Sequence, residues 1–293
     1  LKDAARLAAY FIAIVVIGAL LAPIFFWSAQ VLAAHGVFPS LASYDFHRFF
    51  HRAVLVAAVF LLWPLLRLSK VRTLADLHLA RNAHWARDAG SGLLLAVIPL
   101  VLCAFLLLKL HVYAIRHVFV FSRLSKVLIA AITVPFIEEA FFRGIVLGIL
   151  LRTGRKLLSI VAVSAIFAAV HFLKGSEWNP TLVTWTSGFH SIADAIAAFT
   201  DPTMLLSAFA TLFLIGCILA DARVLTRSLW LPIGLHAGWI LASGTFSWLA
   251  RRQTMALPWL GTNLLVGIVP LGLAAITWVA MRLWWKDDRA SQN

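Results

Sequence analysis

The run TVPFIEEAFFRGIVLGIL, residues 133–150, has the length and apolar character of a membrane-crossing helix, yet it carries Glu138, Glu139 and Arg143 in its middle. A spanning helix needs about 20 mostly apolar residues. An ionised side chain at its centre costs roughly 2.5–3.5 kcal/mol even on permissive insertion scales. Charges at such depth therefore need a partner, a water-filled cavity or a chemical task. This one stretch makes the chain a membrane protein with a polar site inside it.

The rest of the sequence agrees. Of 293 residues, 62% are hydrophobic and 13% charged, with a mean hydropathy of +0.93. Soluble domains are nearer half apolar and a quarter charged, so an ordinary soluble enzyme is excluded. Disorder is excluded as well, since it requires low hydrophobicity and dense charge. Apolar runs mark about eight transmembrane helices, at 7–27, 47–66, 91–110, 127–150, 157–173, 203–220, 228–249 and 263–285. The expected fold is an all-α, polytopic membrane protein. The second span is the weakest, because His47, Arg48, His51 and Arg52 crowd its start. The first, after Lys2 and Arg6, is too long for a signal-peptide core and reads as an uncleaved anchor.

Cys103 and Cys217 lie in separate apolar runs and make neither a disulfide framework nor a CxxC metal pair. The net charge of +13 comes in short basic clusters between apolar stretches, which suits anionic lipid headgroups and not nucleic acid. Lys and Arg are commoner in one set of alternating segments, including Arg67, Lys70, Arg152, Arg155, Arg223 and Arg227. That bias places both termini in the cytoplasm of a bacterial-type cell membrane. Residues 174–202, with Trp178, Pro180, Trp185 and His190, then read as an outer loop resting at the interface.

Helix geometry separates the two central carboxylates. Residues four apart share a face, so Glu139 sits over Arg143 in the favoured order of acid before base. Glu138 has Phe142 at that offset and no basic partner in its own helix, which leaves it as the candidate general base. Two histidines occupy interior positions: His171 in FAAVHFL and His236 in LPIGLHAGWI, between Gly234 and Gly238, which permit close helix approach.

The ordered set Glu138-Glu139-Ala140-Phe141-Phe142-Arg143, then Phe167-Ala168-Ala169-Val170-His171, then His236 resembles the CAAX protease and bacteriocin-processing family, which includes the type II CAAX prenyl endopeptidases. The resemblance covers roughly residues 126–249. It implies an all-helical intramembrane endopeptidase in which Glu138 activates a water, His171 helps to hold or protonate it, and His236 helps to stabilise the oxyanion. Glu139, Arg143 and Phe167 support them. The chain then divides into an N-terminal region of about three helices (1–125), a protease-like core (126–249), and a C-terminal helix and tail (250–293).

One position departs from the family pattern. Four residues after the last histidine the family usually has Asn or Asp, and here stands Ile240, which cannot donate a hydrogen bond. Ser243 and Asn263 are the candidate substitutes. The resemblance implies no cofactor. Zinc held by the glutamates and histidines is the alternative, although HExxH is absent. The expected partners are membrane lipids and a membrane-associated protein or peptide substrate. Competing readings are a non-catalytic peptide-binding or immunity protein on the same scaffold, and a proton-coupled transporter.

Overall fold

The computed structural model describes residues 2–73, 75–77, 83–173, 179–261 and 263–291. The chain is mostly helical, as a protein in lipid must be when it has no closed barrel to satisfy its backbone. Its helices are α1 (Lys2–Ala34), α2 (Phe46–Leu68), α3 (Trp85–Lys109), α4 (Phe121–Glu139), α5 (Leu147–Leu151), α6 (Lys156–Leu173), α7 (Ser187–Ala197), α8 (Pro202–Met204), α9 (Ala210–Thr226), α10 (Trp230–Leu249) and α11 (Ile268–Ser291). Two π-helical segments, Ala140–Val146 and Leu205–Phe209, join α4 to α5 and α8 to α9.

Among the described residues, five helices are long and apolar enough to cross a membrane: Lys2–Ala34, Phe46–Leu68, Trp85–Lys109, Leu205–Thr226 and Ile268–Trp285. The fold class is therefore that of an all-α membrane protein, with five spans by length and composition where the sequence reading counts about eight. The three helices outside the five carry the motifs. Arg123, Lys126, Glu138 and Glu139 load α4 with charge, α6 is shorter, and α10 is diluted by Pro232, His236, Trp239 and its glycines.

Two compact units divide the chain. The first comprises residues 1–72 and 169–201. In it α1 and α2 run antiparallel, with Tyr10 Oη donating to the Ala58 carbonyl (3.0 Å) and Gly18 against Val54. Ala19, Ala22, Phe46, Phe50 and Ala53 form its core. The crowded start of α2 is accommodated simply. Arg48 and Arg52, one turn apart, both lie over the Tyr44 ring, and Asn179 Oδ1 accepts the Phe46 N–H at 2.8 Å. The expected outer loop at 174–202 is corrected here, because residues 187–197 are the helix α7. Gly188 of that helix packs directly on the Ala19 backbone, a contact that no hydropathy signal marks. Trp178 lies outside the described residues.

The second unit comprises residues 73–168 and 202–293. Helices α3 and α10 run parallel along a seam where Gly92 meets Leu231, Gly234 meets Ala89, and Gly238 meets Leu93 and Ala96. At Gly238 an added Cβ would lie 2.7 Å from the Leu93 carbonyl oxygen, so only glycine fits. This is the close approach that the flanking glycines of His236 predict. Helix α4 lies antiparallel to α10, with Phe136 against Trp230 and Val127 against Gly244. Helices α9 and α11 run parallel, tied by Thr211 Oγ1 to the Gly267 carbonyl and by a bidentate Arg282–Asp221 pair at 2.7 Å.

The all-α expectation needs one small amendment. Strands β1 (Tyr113–Ile115) and β2 (Ala250–Arg252) form an antiparallel ribbon in the register Tyr113↔Arg252. They join the segment after α3 to the segment after α10.

Candidate active site

The site is built where α4 gives way to the π-helical segment. A π register advances through wider turns than an α-helix and is commonly found at functional positions. Phe142, Arg143, Gly144, Ile145 and Val146 are all buried there. Gly144 lets the segment lie against Leu77, whose carbonyl oxygen would be 3.1 Å from an added Cβ.

Glu139 and Arg143 are both fully buried, and Arg143 Nη1 donates to Glu139 Oε1 at 3.0 Å. Arg143 Nη2 donates to the Gly216 carbonyl of α9 at 3.3 Å. Its guanidinium carbon lies 4.5 Å from the centre of the Phe167 ring, a distance at which the ring face attracts a cation. Phe142 meets Phe167 edge to face at 5.2 Å. Arg143 thus ties three elements together: its own segment, α6 and α9.

The same carboxylate oxygen has a second neighbour. His236 Nδ1 lies 2.8 Å from Glu139 Oε1. A carboxylate only accepts, so Nδ1 is the donor of this pair. Holding one ring nitrogen by a carboxylate fixes the tautomer and orientation of the other, the usual way an acid–base histidine is set. Helical spacing supplies Glu139 with one partner; the fold adds a second, from a position 97 residues away. Glu139 Oε2 and Arg143 Nε are buried without a hydrogen-bond partner among the described residues.

Glu138 is half-buried, and its carboxylate lies within electrostatic reach of the Arg143 guanidinium that also faces Glu139. His171 is half-buried in the last turn of α6, within the first unit, one helical turn after Phe167. The structure therefore gathers Glu138, Glu139, Arg143, Phe167 and His236 in the second unit. Ile240, one turn beyond His236 on α10, is half-buried. Of the candidate substitutes for the missing donor, Ser243 gives its hydroxyl hydrogen to the Trp239 carbonyl at 2.7 Å. Asn263 Oδ1 accepts the Leu265 N–H at 2.9 Å.

No curated protein and no solved structure matches the chain. Residues 119–242, somewhat under half of the chain, match the family described as "Type II CAAX prenyl endopeptidase Rce1-like". That segment holds Glu138, Glu139, Arg143, Phe167, His171 and His236 together, and over it the resemblance of this chain to the CAAX protease and bacteriocin-processing family is shown.

Proposed function

We propose that this protein is an intramembrane glutamic-type endopeptidase that hydrolyses peptide bonds in membrane-associated protein or peptide substrates. The family matched is one of proteases, and that match, falling on the segment with the buried Glu139–Arg143–His236 cluster, carries the reading. Glu138 acts as the general base on a water, and His171 helps to hold that water or to pass on its proton. His236, oriented by Glu139, takes up a proton and then donates from Nε2 to the oxyanion, a type of contact worth about 3 kcal/mol of barrier. Arg143 neutralises Glu139 and keeps the cluster assembled. Residues 126–249 are the catalytic core, the bundle has about eight spans, and both termini face the cytoplasm of a bacterial-type membrane.

The reading needs no metal. What supports this is that Arg143 already supplies the counter-charge of Glu139 through Oε1, the same oxygen that His236 Nδ1 faces. Activity that survives chelation is the expected result, and stoichiometric zinc in active protein would overturn the metal-free assignment. Ile240 favours the second reading, a non-catalytic protein that binds a peptide on the same scaffold.

The decisive experiment catalogues protein N- and C-termini by mass spectrometry in host cells expressing wild type or Glu138→Gln at matched abundance. Specific termini should vanish with Glu138→Gln. Identical catalogues would refute the protease and favour the binding protein. Glu139→Gln is a poor control here, since it leaves Arg143 buried without its counter-charge.

A further inference from the structure

Arg223, in the last turn of α9, is only 6% exposed, yet it has no hydrogen-bond or ion-pair partner among the described residues. Its Nε is fully enclosed. Such a side chain demands explanation. A guanidinium carries five N–H donors and keeps its charge in proteins, so it cannot escape burial by losing a proton. The carbonyl end of the α9 dipole favours a cation nearby, but it does not supply acceptors to the outer fork. The acid closest in sequence, Asp221, is no help. It is already held by Arg282 and Trp278, and two residues on a helix place Arg223 on the opposite side.

The surroundings indicate what supplies the acceptors. Arg223 is three residues from the end of α9, so its Cα lies roughly 5 Å within the helix terminus. The same end of the second unit carries the starts of α3 and α10, where Trp85 packs against Trp230, and the end of α11, where Arg87 lies over Trp284. Tryptophan and arginine gathered at one end of a helical bundle mark the level of lipid headgroups. Helix α9 also presents Arg223 on the face that carries Gly216, seven residues earlier, whose carbonyl holds Arg143.

We infer that Arg223 is the base of a phosphate-binding site at headgroup level, in which the guanidinium fork takes two oxygens of a phospholipid phosphate. The pairing is that of a planar fork with a tetrahedral oxyanion, for which arginine is better shaped than lysine. The bound lipid braces α9 two turns from the carbonyl that positions Arg143. This inference does not depend on the protease reading, and its test measures binding and stability, not proteolysis.

Native mass spectrometry of detergent-purified protein provides the test. Wild type and Arg227→Gln, a change at an exposed neighbour, should keep one phospholipid through activation that strips the remainder. Arg223→Gln should lose it, and Arg223→Lys should hold it more weakly. In parallel, phosphatidylglycerol added to delipidated wild type should raise the unfolding temperature, with no rise in Arg223→Gln. An equal rise from inorganic phosphate would keep the phosphate chemistry but identify a free ion as its source. Equal lipid retention in wild type and Arg223→Gln overturns the inference. So does a rise produced by a peptide carboxylate when neither lipid nor phosphate gives one. Should Arg223→Gln fail to fold, the wild-type titrations and Arg223→Lys decide the matter.

Discussion

Replacing Arg143 with Met tests whether the buried cluster is an electrostatic unit. Both side chains of the Arg143–Glu139 pair are fully enclosed. Removing one partner of such a pair costs about 3–5 kcal/mol, because the remaining charge keeps its desolvation penalty and loses its compensation. The Gly216 carbonyl and the Phe167 ring face lose their contacts in the same step. At roughly 2–4 °C per kcal/mol for a large chain, Arg143→Met should lower the unfolding temperature by about 10 °C. The double variant Glu139→Gln/Arg143→Met removes both charges, and the amide carbonyl it introduces can still accept from His236 Nδ1. It should recover most of the loss, giving a coupling energy of about 2–3 kcal/mol in a double-mutant cycle. The assay is thermal unfolding in detergent, read by the protein remaining monodisperse after heating. Strict additivity of the two single variants, or an Arg143→Met protein as stable as wild type, would refute the argument.

Three further outcomes can be checked. Gly234→Ala should destabilise by about 1–3 kcal/mol and lower the yield of folded protein, because its Cβ would strike the Ala89 backbone, whereas Gly148→Ala, in open space, should be neutral. Arg282→Gln should cost about 3 kcal/mol by leaving Asp221 buried without its bidentate partner, and should cost more than Asp221→Asn, since Arg282 is half-exposed and can turn to solvent. Ile240→Asn, which restores a donor one turn beyond His236, should raise the turnover of any cleavage assigned to this protein by about tenfold or more with unchanged folding; no gain would mean that His236 needs no second donor.

How much of this was legible in the sequence depended on the range of each interaction. The Glu139–Arg143 pair follows from helical periodicity alone, because four residues fix a shared face whatever surrounds the helix. The glycine seam could be suspected from Gly234 and Gly238, although Gly92 and the identity of α3 as partner could not. His236 beside Glu139, Phe167 over Arg143 and Asp221 beside Arg282 depend on which helices are neighbours, and hydropathy carries no such information. The π-helical segment was hidden too, since nothing in AFFRGIV by itself distinguishes a π from an α register. Counting spans by apolarity meets a difficulty of another kind. Charged side chains interrupt α4 and α6 is apolar but short, so helices that carry the motifs are hard to count on that basis.

The backbone contact between α3 and α10 has a mechanical consequence. Bilayers differ in thickness, and long apolar helices answer by tilting. Helices that touch through glycines, with no flexible side chains between them, tilt as one beam. Helix α3 packs backbone to backbone along the helix that carries the His236 imidazole, and so shares its height in the bilayer. A cell that remodels its lipids would thus swing α3 and α10 together.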